Sequence, residues 1–402
     1  MKSVFTTADI LIPNDISQAW SVIACDQFSS ELKYWESVRK IVGDKPSTLN
    51  MIIPEAHLEE IDEESKIKKI SFVMDDYLNN GILREIKDSF IYVERIQSDG
   101  RLRKGIVGTV DLEEYDFTGT ASAIRASEGT VLDRLPARIR VRRAATLELP
   151  HIITFIDDKD RTVVEPLTKI SDDLPLLYDF ELMEGGGFIK GRRVTGENAE
   201  KVKMAIHKLH EKNDLLMIIG DGNHSLAASK VYWDELKQSL SSADRENHPA
   251  RHALVELNNV YDPAISFEAI HRVLFSINAP EFIKKFEDVV PRGSDYEIHW
   301  LSRNESGSIS IKADCIGDML KMMQDFIDRY IEKTGAGVDY IHGEDSVKKL
   351  AGENHSLGLI LPSMDKSDFF ETVSGSGVFP RKSFSVGHAR DKRYYMECRR
   401  IR

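Results

Sequence analysis

The sequence predicts a mixed α/β fold. Short apolar strands are interleaved with amphipathic helices, the interleaving is irregular, and the 402 residues exceed what one hydrophobic core usually spans. Irregular alternation favours a mixed sheet over a purely parallel one. The clearest stretch is residues 198–240. Val202, Ile206 and Leu209 recur at helical spacing behind the capping-type run Thr195-Gly196-Glu197-Asn198. Asp214 then opens a strand at 215–219, and a Gly-Asp-Gly turn follows. Leu226, Trp233, Leu236 and Leu240 share one face of the next helix. This helix–strand–loop–helix order belongs to layered α/β proteins.

The amino-terminal part repeats the pattern. A buried strand at 20–24 runs into Cys25-Asp26-Gln27-Phe28, and a helix is expected from Ser29 or Ser30. Tyr34, Trp35, Val38 and Ile41 form its apolar stripe, and Gly43 stops it. Further strands are expected at 90–97, 104–112, 151–157 and 251–260, and a last helix at 316–332. The division expected is a mixed α/β core over residues 1–275, holding a phosphate and substrate site. A C-terminal α+β subdomain over 276–402 packs back on it.

Composition narrows the function classes. With 41% hydrophobic and 30% charged residues the chain is ordinary globular material, so no long segment is expected to be disordered. The longest apolar run, 215–219, is far below the roughly 18–20 residues that span a bilayer, and no signal-peptide core follows Met1. A cytoplasmic protein without a membrane partner is expected. Cys25, Cys315 and Cys398 are odd in number and far apart, which points to reduced thiols rather than disulfides or a zinc knuckle. A formal charge of −12 argues against generic nucleic-acid binding, because such binding neutralises phosphates with Lys and Arg.

The loop Gly220-Asp221-Gly222-Asn223-His224-Ser225 is the expected centre of chemistry. Ligands of α/β sheets collect beyond strand carboxyl ends, where helix N-termini present backbone N–H groups. Asp221 and Asp26 both stand at such positions. A carboxylate there caps its helix, holds Mg²⁺ or accepts a proton from a hydroxyl. The flanking glycines allow close backbone approach, and His224 adds a titratable group. The loop is not a dinucleotide fingerprint, because Ser225 replaces the third glycine, and no Walker-type phosphate loop occurs in the chain.

Two other segments offer positive charge. Residues 118–130 mix small and hydroxyl residues around Arg125, with Ser127, Glu128, Gly129 and Thr130, the materials of an anion-binding nest. Arg134, Arg138, Arg140, Arg142 and Arg143 follow, so 118–143 carries six arginines against Glu128 and Asp133. Near the C-terminus, Arg381, Lys382 and Ser383 follow the flexible Ser374-Gly375-Ser376-Gly377. His271, Arg272 and the Tyr340–Glu344 cluster are further pocket candidates, whereas His248, His252, His207 and His210 read as structural.

These motifs, taken in order, carry a resemblance. Ala24-Cys25-Asp26-Gln27-Phe28, Ile124-Arg125-Ala126-Ser127-Glu128-Gly129-Thr130-Val131, Asp179-Phe180-Glu181-Leu182-Met183, the 220–225 loop, Asn247-His248-Pro249-Ala250-Arg251 and Pro380-Arg381-Lys382-Ser383-Phe384 resemble the bacterial and archaeal domain-of-unknown-function 1015 family over nearly the whole chain. That family is similar, more distantly, to the ParB/sulfiredoxin-like superfamily, which includes free-serine kinases using ADP, ATP or pyrophosphate. The resemblance implies a ParB/sulfiredoxin-like core elaborated by further strands, and a phosphate-side role for the Asp-Gly-x-His loop. Many relatives read Asp-Gly-His-His-Arg where this chain has Asp221-Gly222-Asn223-His224-Ser225, so Arg125 or Lys382 is expected to supply the missing positive charge.

The reading that follows is a phosphotransferase of the small-molecule kinase type, with free L-serine as first substrate and ATP, ADP or pyrophosphate as donor. Asp26 orients or deprotonates the hydroxyl, and Asp221 binds Mg²⁺ or the phosphates. His224 contacts a phosphate, while Arg125 and Lys382 stabilise the transferring charge. Ser127, Glu128, Gly129, Thr130, Gly222, Asn223, Ser225, His271, Arg272, Arg381 and Ser383 complete the expected binding set. No nucleic-acid partner is expected, and a homo-oligomer is compatible with the sequence. The alternative is a nucleotide- or metabolite-binding sensor without turnover.

Overall fold

A computed structural model describes residues 3–23, 31–54, 63–119, 121–149 and 151–402. Alternation along single strands decides how its sheet is buried. In strand Leu83–Ile96, Phe90 and Tyr92 join one apolar cluster with Ile106 and Val110, while Ile91 and Val93 join another with Val107. Successive side chains of a strand point to opposite faces, so one strand feeds two cores. Helices Gly196–Lys212 and Asn223–Leu236 cover the first face. Helices Leu32–Val42 and Glu63–Asn79 cover the second.

Among the described residues this sheet has eleven strands. Its central run is Ile124–Ala126, Met217–Asp221, Ile153–Ile156, His252–Asn259, Leu102–Asp111 and Leu83–Ile96. Met217–Asp221 runs parallel to Ile124–Ala126 and antiparallel to Ile153–Ile156, which is itself parallel to His252–Asn259. The sheet is therefore mixed, as the irregular alternation implied. Helix Leu32–Val42 buries Tyr34, Trp35, Val38 and Val42 and ends at Gly43, whose φ of 54° a side chain would resist. No helix among the described residues is long and apolar enough to cross a membrane.

Contacts separate Met1–Ala126, Thr130–Ile265 and His388–Arg402 from a second unit made of Ser127–Gly129 and Ser266–Gly387. Chain contacts thus change hands at 126/127, 129/130, 265/266 and 387/388, where a single change near residue 276 was expected. The reason is local pairing. Strand Phe267–Phe275 pairs with Gly337–His342, Ser356–Ile360 and Phe384–Val386, and the segment from 388 onward pairs at Tyr395 and Cys398 with Val22 and Leu11. The second unit holds a six-stranded sheet, with helix Ile316–Thr334 burying Ile316, Met319, Leu320, Met323 and Ile327.

Two expectations are corrected. Residues 20–23 form no strand beyond an isolated bridge from Val22 to Tyr395. Loop hydroxyls replace the ladder there: Ser47 Oγ and Thr48 Oγ1 donate to the Trp20 carbonyl, and Ser21 Oγ donates to that of Tyr395. The helix after the 220–222 turn ends at Leu236, so Leu240 packs from beyond its end.

Candidate functional site

Glycine shapes the end of strand Met217–Asp221. The register shifts between Ile219 and Asp221, and a Cβ on Gly220 would lie 2.1 Å from the Phe155 ring. A bulge of this kind re-aims the side chain that follows it. Gly222 then takes φ 86°, with Ile152 Cγ1 2.9 Å from where a Cβ would stand, and helix Asn223–Leu236 begins at once. The amides of Ser225 and Leu226 donate to the Gly222 carbonyl at 3.0 and 3.1 Å.

The side chains of this turn meet residues from distant parts of the first unit. Lys392 Nζ donates to Asp221 Oδ1 at 2.9 Å, with only 14% of the Lys392 side chain exposed. Ser225 Oγ and His151 Nε2 are 3.1 Å apart, and the His151 ring lies 5.0 Å from that of Tyr395. His151 Nδ1 is buried with no hydrogen-bond partner among the described residues. Burial pushes the His151 imidazole down to about 4, against the opposing pull of Asp221, so the ring is neutral at pH 7. His224, the residue expected to contact a phosphate, accepts the Val131 amide at Nε2, 3.2 Å away.

Beside Ser225 and His151 opens a cavity of about 210 Å³. Arg138, Arg142 and Glu148 contribute its charged wall, and Met51, Ile52, Ile53, Val141 and Leu254 are among its apolar residues. Arg142 and Arg399 both bind Glu148, at 2.8 and 2.7 Å. Burial alone would raise the Glu148 carboxyl, but these two guanidiniums hold it below the ordinary range.

The structure gathers part of the sequence-derived set. Asp221, Gly222, Asn223, His224 and Ser225 share one turn, and Arg125 sits on the neighbouring strand opposite Ile218. The described residues of 118–130 divide among separate local structures. Thr118 turns back on Asp116, Ile124–Ala126 pairs in the sheet with Arg125 Nε donating to the Ser122 carbonyl, and Thr130 Oγ1 is buried without a partner among the described residues.

Ser127, Glu128 and Gly129 belong to the second unit, along with His271, Arg272, Arg381, Lys382 and Ser383. There Phe379 N donates to the Ser127 carbonyl and Gly129 N donates back to that of Phe379, two residues before Arg381. Arg272 is fully buried, donates to Gln324 and lies 4.5 Å over the Tyr340 ring, and burial pushes its guanidinium down to about 10. His271 Nδ1 accepts the Leu361 amide, and Ser383 Oγ donates to the Pro380 carbonyl. Asp26 lies outside the described residues.

Sequence reading missed Lys392, His151, Tyr395 and Glu148, while the cavity's Arg138 and Arg142 belong to the arginine run it singled out. The signal available for Lys392 was the basic run Arg390-Asp391-Lys392-Arg393 in the tail. Asp221 was the expected metal ligand. Its carboxylate is engaged by Lys392, and no group of three or more His, Cys, Asp or Glu is gathered for a metal among the described residues.

A family model described as "Protein of unknown function (DUF1015)" matches residues 9–368. No curated protein matches the chain. Among solved structures, a free serine kinase in complex with AMP shares 9% identity at a TM-score of 0.41, covering 72% of this chain and 90% of its own. A conserved hypothetical protein from Pyrococcus furiosus shares 10% identity at a TM-score of 0.38, covering 71% and 92%. SbnI from Staphylococcus aureus, truncated at its C-terminus, shares 7% at 0.38, covering 70% and 82%. These similarities are too distant to bring residue roles across.

Proposed function

We propose a small-molecule phosphotransferase function for this chain, which belongs to the DUF1015 family, a family of unknown function. The observation that carries the reading is the Lys392–Asp221 pair, 2.9 Å apart, where strand Met217–Asp221 turns into helix Asn223–Leu236. A helix N-terminus favours an anion, and a mostly buried ammonium beside it adds a full positive charge. Lys392 thereby takes the charge-stabilising part for which Arg125 and Lys382 were the expected candidates, while Asp221 holds the ammonium in place.

In this reading the donor's terminal phosphoryl group lies against Lys392 and the first helical turn. The acceptor hydroxyl oxygen forms a new bond to phosphorus as the bond to the donor's bridging oxygen breaks. The leaving phosphate keeps the electron pair, and the hydroxyl proton passes to a carboxylate, for which Asp26 is the candidate. Positioning and electrostatics supply most of such catalysis. Free L-serine is the first acceptor to test, with ATP, ADP or pyrophosphate as donor.

The test is incubation with L-serine, Mg²⁺ and each donor in turn, with phosphoserine read by mass spectrometry. Product is expected from the native chain and about a hundredfold less from Lys392→Ala and Asp221→Asn, the scale of losing one charge-stabilising group. If L-serine and a panel of other hydroxylated metabolites give nothing above the variants, the phosphotransferase reading fails. Calorimetric nucleotide binding without turnover would instead mark a sensor.

A further inference from the structure

The cavity beside Ser225 is larger and more apolar than free serine requires. An apolar cavity of about 150 Å³ accommodates benzene. The 210 Å³ found here exceeds that, whereas serine offers a single hydroxymethyl group. Its walls are also unevenly charged. Glu148 is shared by Arg142 and Arg399, and Arg138 lines the same cavity one helical turn before Arg142. Arg142, with 12% of its side chain exposed, keeps Nε and Nη2 without an acceptor among the described residues. Unmet donors on a buried charge are costly, and a ligand anion relieves that cost. Ser225 and His151 line the same cavity, with Oγ and Nε2 forming a hydroxyl–imidazole pair 3.1 Å apart.

Resting on the phosphotransferase reading, we infer that this cavity holds the acceptor. The acceptor class is a hydroxy acid with an apolar body, its carboxylate toward Arg138 and Arg142 and its body against Met51, Ile53, Val141 and Leu254. Its hydroxyl lies toward Ser225, at the end of the cavity nearest the turn that carries Asp221. The division of labour is the usual one for ligand cavities: apolar walls give affinity and a few fixed polar groups give orientation. The planar guanidinium fork suits a carboxylate better than a solvated lysine does.

The experiment is calorimetric titration of the full chain with L-serine, 3-hydroxy-3-methylbutyrate and 3-phenyllactate. At least one of the two hydroxy acids is expected to bind about tenfold or more tightly than L-serine. Arg138→Gln should weaken that binding by about tenfold, the worth of one charge-assisted contact. Ala137→Phe, from a half-buried wall position, should weaken it by at least as much by filling the space. Val141→Phe is the second filling variant should the first fail to fold by circular dichroism. Equal or tighter binding of L-serine overturns the inference, as does hydroxy-acid binding unchanged in both filled variants. Phosphorylation of L-serine without hydroxy-acid binding sinks the inference and leaves the phosphotransferase reading standing. Cavity-dependent binding with no phosphorylated product from any donor sinks that reading and leaves the ligand class intact.

Discussion

Lys392 has a role that no local pattern around it announces. It lies 171 residues from Asp221, in a tail where basic residues are common, and only the fold brings its ammonium to the carboxylate. Asp221 was visible because glycines bracket it after an apolar strand, and His224 because it follows two residues behind that turn, a pattern that constrains backbone and side chain together. His151 was invisible for the opposite reason: one histidine at the head of a strand carries no spacing signal. It nevertheless makes a sharp prediction. Its imidazole is pushed down to about 4 by burial, while an unfolded chain titrates near 6.5. Between about pH 6.5 and 4 the unfolded state binds a proton that the folded state refuses, so stability falls as pH falls through that window. His151→Gln should flatten this limb of a melting-temperature profile. A profile of unchanged slope between those values would refute the assignment of the proton to His151.

At the scale of elements, most of what positions the site was readable. The strand before the turn and the helices on either side of it follow from apolar periodicity, and they appear within a few residues of expectation. Failures came where backbone groups are satisfied by side chains instead of a ladder, as at Trp20 and Ser21, because hydrophobicity alone cannot distinguish a buried strand from a buried loop. The turn itself yields a test. Gly222 combines φ 86° with Ile152 Cγ1 only 2.9 Å from where a Cβ would stand, so Gly222→Ala meets both backbone strain and a crowded neighbour. The expected loss is about 1–3 kcal/mol in chemical denaturation. Ala227 is a control already buried within the same helix, and Ala227→Gly should cost about 1 kcal/mol from helix propensity together with lost packing. If Gly222→Ala is neutral, the turn does not need its left-handed glycine.

At the scale of the molecule, buried charges act together with the core residues Tyr394, Met396, Cys398 and Ile401 to return the tail to the first unit. Glu256, 2% exposed, accepts Arg103 Nε at 3.2 Å and Arg393 Nε at 3.0 Å. Arg393 also binds Glu397, whose carboxylate accepts Tyr178 Oη at 2.5 Å, and Arg95 donates to the Lys392 carbonyl at 2.7 Å. Such pairing joins residues up to 297 apart, and sequence patterns give no account of it because charged residues read as surface. The network also fixes the backbone on which Lys392 stands. Burial would raise the Glu256 carboxyl, yet Arg103 and Arg393 hold it below the ordinary range. A folded carboxyl so depressed contributes stability fully above the unfolded value, about 4.3. That contribution is lost as pH falls below it toward the folded value. Glu256→Ala leaves two buried guanidiniums without their shared carboxylate and should cost about 3–5 kcal/mol at neutral pH. Trp20, Trp35 and Trp233 lie in the first unit, so their fluorescence in urea reports the change. The gap between native chain and variant should narrow below about pH 4, where protonation disarms Glu256 in the native chain as well. A variant within about 1 kcal/mol of native at neutral pH, well short of the cost of stranding a buried charge, would show that the network does not hold the tail.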